Sequence, residues 1–548
     1  MRSNVTRKLP LILGLASLLG SSALAAPPPL PPSPPPPGET PDASPPAPAF
    51  LTKPQRVTSE GSVTIRGQAI PYQAESGTLI VHPEHWDDAN PDPKAPQAVA
   101  SVFYVAYFKK GAHARNRPIT FVYNGGPGSS TVWLHMGALG PKRVETADDV
   151  HTPAAPYQLV NNDDSLLDAT DLVFIDAPGT GFGRIMGKDR EKAFYGTDPD
   201  AAAFTDFIAQ FLARHNRFNS PKYLFGESYG TTRSAIVANA LASEKGIDLN
   251  GVILLSQILN YGNSIDRPQL NPSNDQPYVL ALPSFAATAW YHNRLPDRPA
   301  DLKAFLAEVE HFALTEYTAA LQDGTSITDE RLKATAERLH RYTGLPVPYI
   351  IKANLRVNGG EFEKTLLGDE GRDTGRLDSR FSGPSMDPLA QRPSYDPQSA
   401  AMESAYVAAF NDYARQTLHY GADPSFNDGY MEYRVSAHSI GKWSFLHKQP
   451  DQRGPARGEP NVLPDLAAAM KANPALQVML NQGYYDLGTP YFEGVYEMRH
   501  LPIPRALAKN VEIRQYASGH MVYAHLPALH EMHDNVAQFI ARTHPKSS

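Results

Sequence analysis

The sequence predicts an α/β fold, a mostly parallel sheet flanked by helices and carrying a largely helical insertion. Between about residues 119 and 260, strand-like runs ending in glycine-rich loops alternate with helical patterns, and that alternation builds parallel sheets. The rhythm breaks at Tyr261 and resumes near Ala475. One interrupted sheet explains this better than two successive domains.

Taken in order, residues 1–25 read as an export signal. Arg2, Arg7 and Lys8 precede the apolar run Leu9–Gly20, and Ala23-Leu24-Ala25 offers small residues for cleavage. The run is shorter than the ~20 residues a membrane span needs. Export to a periplasm or the medium is therefore expected, without stable membrane insertion afterwards. Residues 26–55 form a proline-rich tether, including "APPPLPPSPPPPGETPDASPPAPA", which extends and has no core.

Residues 56–260 make the first part of the core. "SVTIRGQAIPYQAESGTLIV" and "SVFYVAYFKKG" have the alternation and the β-branched and aromatic content of strands. "RPITFVYNGGPGSS", "DLVFIDAPGTGFG" and "KYLFGESYG" each run from strand into a tight turn, and "NGVILLSQILN" is a further buried strand. "AAAFTDFIAQFLARHNRF" and "TTRSAIVANALASEKG" have helical spacing. Residues 261–461 are the insertion, a lid over the sheet edge, with amphipathic runs such as "PADLKAFLAEVEHFALTEYTAALQ". Residues 462–548 complete the core with two strands, "ALQVMLNQGYYD" and "NVEIRQYASGH", and the helix "LPALHEMHDNVAQFIART".

Composition excludes several functions. The 548 residues include no cysteine, which removes disulfides, a thiol nucleophile and thiolate-bound metals. A net charge of −7 offers no basic surface to nucleic acid. "HEMHD" (530–534) lacks the H-E-x-x-H spacing of a zinc site, and "APGTGFG" lacks both the G-x-G-x-x-G spacing and a P-loop lysine. Neither a metal nor a cofactor is expected.

The chemistry centres on Gly226-x-Ser228-x-Gly230. It follows a strand and opens a helix, the setting in which a sharp turn presents a nucleophilic serine. A serine hydroxyl needs a base, and the base an orienting acid. In the α/β-hydrolase layout both follow the serine, acid before base, on loops after strands. Asp486 and His520 end the two late strands in that order. Asp176 follows "DLVFI" but precedes the serine, so it is expected to shape its own loop. "YNGGPGSS" (123–130) stands where this layout places one oxyanion donor, and the N–H of Tyr229 would be the second.

"NGGPGSS", "DAPGTGFG", "GESYG" and the late "GHM" (519–521) together resemble the serine carboxypeptidase family. The resemblance covers roughly residues 121–260 and 475–525. It implies an α/β hydrolase with a helical insertion, Ser228 as nucleophile, His520 as base and Asp486 as acid. It implies an oxyanion hole of the Gly126 and Tyr229 N–H groups. It further implies that Asn124 and Glu227 bind the substrate's free C-terminal carboxylate and that Met521 lines the leaving-residue pocket. Glu227 would then carry a proton, because two carboxylates in contact cannot both stay ionised. The chain departs from the family at Val122, where Trp is usual, at Ser129, where Cys is usual, and at Ala138, where the family has an acid in the carboxylate network. The expected activity is release of C-terminal residues from peptides. An esterase or acyltransferase on the same triad is the alternative, with a peptide or a small acyl compound as substrate, and a non-catalytic binding protein is the rival from another class.

Overall fold

β1 (Gln55–Ile65) and β2 (Gln68–Val81) form a hairpin that turns through Arg66 and Gly67, both at positive φ (48° and 80°). Two successive positive-φ residues match the twist of the flanking strands. The computed structural model describes residues 53–84, 86, 98–422, 431–438, 440–455 and 458–544, all within the unit Ala47–Ser548. The expected export signal, and the tether up to residue 52, lie outside the described residues.

β3 (Val99–Lys109) lies antiparallel on β2. β4 (Ile119–Tyr123) follows, then the short pair β5 (Lys142–Val144) and β6 (Leu159–Asn161), then β7 (Asp171–Ile175) and β8 (Arg184–Met186). Helix α1 (Thr197–Arg214) leads to β9 (Lys222–Glu227), α2 (Tyr229–Lys245) and β10 (Gly251–Leu255). The insertion's longer helices are α3 (Gln276–Tyr291), α4 (Leu302–Phe312), α5 (Asp329–Thr343) and α6 (Pro397–Gln416); β11 (Arg372–Thr374) and β12 (Ser382–Pro384) pair between α5 and α6. The chain closes with α7 (Leu463–Ala472), β13 (Gln477–Gly483), α8 (Tyr491–Arg499), β14 (Val511–Tyr516) and α9 (Leu526–Thr543).

Among the described residues the main sheet has ten strands in the order β1-β2-β3-β7-β4-β9-β10-β13-β14, with β8 paired to β3. The six from β7 to β14 run parallel. This is the α/β-hydrolase architecture the sequence predicts. Successive residues of the central strands point to opposite faces. Phe121, Tyr123, Leu224 and Leu254 enter one core with α1, while Val122, Phe225 and Leu255 enter the other with α9. Covered on both sides, these strands are apolar without interruption.

The insertion belongs to two cores. α3, α4 and α5 build their own cluster around Phe285, Phe312 and Leu339 and join it to Tyr491 and Val495 of α8. α6 instead sends Tyr406, Phe410 and Tyr413 into the main core, where the Tyr413 and Tyr107 hydroxyls meet at 3.0 Å. The chain after α6 then returns along the sheet edge, bridging Arg434 to Gly181, Ser436 to Ser129 and Ser444 to Gly196. Among the described residues no helix is long and apolar enough to cross a membrane.

Candidate active site

Ser228 sits between β9 and α2 with φ 59° and ψ −130°. Side chains rarely adopt this backbone, at a cost of about 1–3 kcal/mol. Burying the apolar side chains that flank it returns roughly 1.5–3 kcal/mol each, and Leu224, Phe225 and Tyr229 are all buried, so packing outweighs the strain. The turn needs its glycines. A Cβ at Gly226 would overlap the Gly230 carbonyl, and one at Gly230 would lie 2.9 Å from the Tyr123 carbonyl oxygen. The Ser228 N–H donates to Leu255 O at 2.9 Å, and its carbonyl accepts from Thr231 N at 2.8 Å. The side chain is left half-buried at the carboxyl edge of the sheet.

The "NGGPG" loop closes over this turn. A Cβ on Gly125 would overlap the Tyr229 nitrogen, so only glycine lets the two backbones meet. Gly126 follows at φ 101° and is exposed. Tyr229 is the first residue of α2, so its N–H has no acceptor within the helix, and the helix dipole adds positive potential there. Arg233, one turn into α2, anchors the loop by donating to Asn124 O at 2.8 Å. It is itself paired with buried Asp200 and stacked over Phe204.

Parallel strands bring the other two candidates to the same edge. His520 Nδ1 lies 2.7 Å from Asp486 Oδ2. Asp486 is fully buried, and its other partners are the N–H groups of Gly488 and Thr489, each 2.9 Å from Oδ1, and the Thr489 hydroxyl, 2.7 Å from Oδ2. Burial lowers the His520 pKa, but the charge and hydrogen bond of Asp486, with the charge of Glu227, raise it more, and the net shift is upward.

Glu227 is buried beside Ser228. Its Oε2 accepts from the Tyr523 hydroxyl at 2.8 Å, and Asn124 is near enough to lower its pKa. Asn124 Oδ1 accepts from the Leu134 N–H at 3.0 Å, which leaves its NH₂ as the donor. Burial pushes Glu227 up to about 7, against the lowering effects of His520, Tyr523 and Asn124. Met521 is also buried, in the core beneath the sheet edge.

A strap from the insertion spans both loops. Leu377 O accepts from the His520 N–H at 2.6 Å, Arg376 O from the Leu487 N–H at 3.0 Å, and the Ser379 N–H donates to Tyr485 O at 2.9 Å. Asp378 is locked by Arg380 at 2.6 Å, and it packs so closely on Gly519 that a Cβ there would overlap it. From the far side, Ser256 Oγ donates to His520 O at 2.6 Å. Gly519→Ala should therefore displace His520 or the strap. The expected loss is about 10²-fold in kcat, the scale of a ~1 Å misplacement, with KM little changed. Steady-state kinetics beside a thermal melt check it; an unchanged kcat in a folded variant would count against the strap's role.

Other residues singled out by sequence have structural places. Asp176 accepts from the Thr131 N–H at 2.7 Å, and Gly181 leaves room for its second oxygen, so it ties the "NGGPG" and "APGTGFG" loops together; burial raises it to about 7. His530 and His533 pair with Asp164 and Asp168 and pin α9 to the segment between β6 and β7. Among the described residues no group of three or more His, Asp or Glu is placed to hold a metal ion. Sequence reasoning missed Tyr523, Thr489 and the strap. Tyr523 stands two residues past Met521, and that spacing was its only signal.

The Peptidase_S10 family model, serine carboxypeptidase, matches residues 94–292, which include "NGGPG" and "GESYG". The chain is a serine hydrolase that resembles the serine carboxypeptidases over this span. No curated protein matches it at a significant level. Solved structures that align with this serine hydrolase include the proline iminopeptidase of Mycobacterium smegmatis, at 13% identity and TM-score 0.31, covering 88% of this chain and 98% of that one. A carboxyl esterase from Bacillus coagulans aligns at 11% identity and TM-score 0.33, covering 86% and 99%. The peroxisomal α/β-hydrolase Lpx1 of Saccharomyces cerevisiae aligns at 10% and 0.34, covering 87% and 91%.

Proposed function

We propose that the protein is an exported serine carboxypeptidase. Ser228 Oγ attacks the last peptide carbonyl and passes its proton to His520, while Asp486 holds the imidazole in the productive tautomer. The N–H groups of Gly126 and Tyr229 receive the oxyanion. Collapse breaks the C–N bond, and the proton on His520 leaves with the amine of the C-terminal residue. Water, deprotonated by His520, then cleaves the acyl ester and restores Ser228. The N-terminal charge and apolar pattern support export.

The observation that carries the peptidase reading is Glu227, buried next to the nucleophile with a pKa near 7. A hydrolase of uncharged esters gains nothing from a carboxyl there. For a substrate ending in a carboxylate, one shared proton makes Glu227 a donor, with Asn124 as the second donor. Met521, at the base of the site, would line the leaving-residue side. Ala138, in place of the family's acid, is the observation favouring the esterase alternative.

The deciding experiment compares an N-blocked dipeptide with a free carboxylate against its C-terminal amide and methyl ester. Preference for the free acid supports the carboxypeptidase, whereas ester cleavage without use of the acid transfers the function to the esterase reading. The pH dependence has a definite sign. Glu227 is protonated below about pH 7 and ionised above it, so KM for the free acid should rise as pH passes 7, while KM for the ester should not. Glu227→Gln, which cannot ionise, should flatten that rise and change kcat less; a KM profile identical to wild type would remove the carboxylate role.

A further inference from the structure

The phenol that holds Glu227 also lines a cavity of about 420 Å³, together with Gly137, Arg143, Asp148, Tyr406 and Leu526 among others. Gly137 shapes it, since a Cβ there would overlap the Tyr406 hydroxyl and lie 2.9 Å from the Tyr523 ring. Both phenols thus close over one α-carbon, beside the position where the family's acid is replaced by Ala138. Tyr523 spends its hydroxyl on Glu227. Tyr406 arrives from α6 of the insertion, its ring 5.1 Å from that of Trp133, and its hydroxyl has no hydrogen-bond partner among the described residues. It is close enough to both Glu227 and Arg143 to feel their charges.

The charged groups of the cavity differ in their commitments. Asp148 is shared between Arg380 and His525, at 2.9 Å from each, and Glu145 stands at the exposed rim. Arg143 is half-buried, donates to the Val144 carbonyl at 3.4 Å, and forms no ion pair among the described residues. A guanidinium partly withdrawn from water, beside an unused phenol, is a site for a carboxylate.

We propose that this cavity receives the side chain of the leaving residue, and that Arg143 and Tyr406 make it favour an acidic one, C-terminal Glu or Asp. The inference rests on the carboxypeptidase reading, which fixes the substrate's terminal carboxylate at Asn124 and Glu227. Tyr523 both lines the cavity and bonds Glu227, so the terminal carboxylate and the side chain of the same residue would lie to either side of one phenol. The volume is ample for a residue of this size. Selectivity would then be set by the insertion through Tyr406 as well as by the core.

The test uses the full chain and N-blocked dipeptides that share one acyl residue and end in Glu, Gln or Phe. Wild type should prefer Glu to Gln in kcat/KM by roughly tenfold, the scale of a charge-assisted contact that water still reaches, and added salt should shrink the difference. Arg143→Gln should bring Glu down to Gln and leave Phe unchanged, while Tyr406→Phe should weaken Glu and Gln together. Equal use of Glu and Gln by wild type, or a preference that survives Arg143→Gln, would overturn the proposal. Cleavage of the corresponding ester with none of the three free acids would instead remove the carboxypeptidase reading, and this inference with it.

Discussion

Ser228→Ala is expected to lower kcat by about 10⁵- to 10⁶-fold, the cost of removing a triad serine, while leaving the fold in place. The site explains both halves. The hydroxyl makes no hydrogen bond to another described residue, so folding does not rely on it, and alanine at φ 59° is no more strained than serine. Any change in melting temperature should stay within about 3 °C, as for substitutions that remove no packing or buried partner. The variant should also lose covalent labelling by an active-serine phosphonate. Full activity in the folded variant would end the hydrolase assignment of Ser228.

The second large effect belongs to Asp486→Asn, with an expected loss in kcat of about 10⁴-fold and little change in KM. Oδ1 already accepts two backbone N–H groups, from Gly488 and Thr489, so the amide oxygen of asparagine must occupy that side. Its NH₂ then faces His520 Nδ1, where Oδ2 stood at 2.7 Å. The ring can accept that bond only as the tautomer whose proton is on Nε2, and it can no longer take one from Ser228. Phosphonate labelling should slow in parallel with turnover. A loss of only a few-fold would mean that another group orients the base.

What the sequence revealed, and what it hid, follows the range of the interactions involved. The turn at Ser228 was legible because its strand–glycine–serine–glycine–helix pattern is local, even though Gly230 answers to the distant Tyr123 carbonyl. Asp486 and His520 were legible because parallel strands deliver their carboxyl ends to one edge, so position in the strand pattern implies position in space. Asn124 and Glu227 were found only through the family resemblance, since nothing local distinguishes them from an ordinary turn asparagine and glutamate. Tyr406 was invisible. Which core α6 enters depends on contacts far along the chain. The strap was hidden for a related reason. Residues 376–380 act through carbonyls, N–H groups and one tightly packed aspartate, and a polar loop carries no periodicity that would report them.

The strap also fixes the order in which activity can appear during folding. The strands up to β10 and the turn at Ser228 all precede the insertion in the chain. His520 and Leu487, the residue after Asp486, however, are held by Leu377 and Arg376, far away in the chain, and closing contacts of such long range is slow. A chain whose sheet has formed but whose insertion has not docked would carry an exposed serine with no oriented base. Activity should therefore appear only once the insertion has docked.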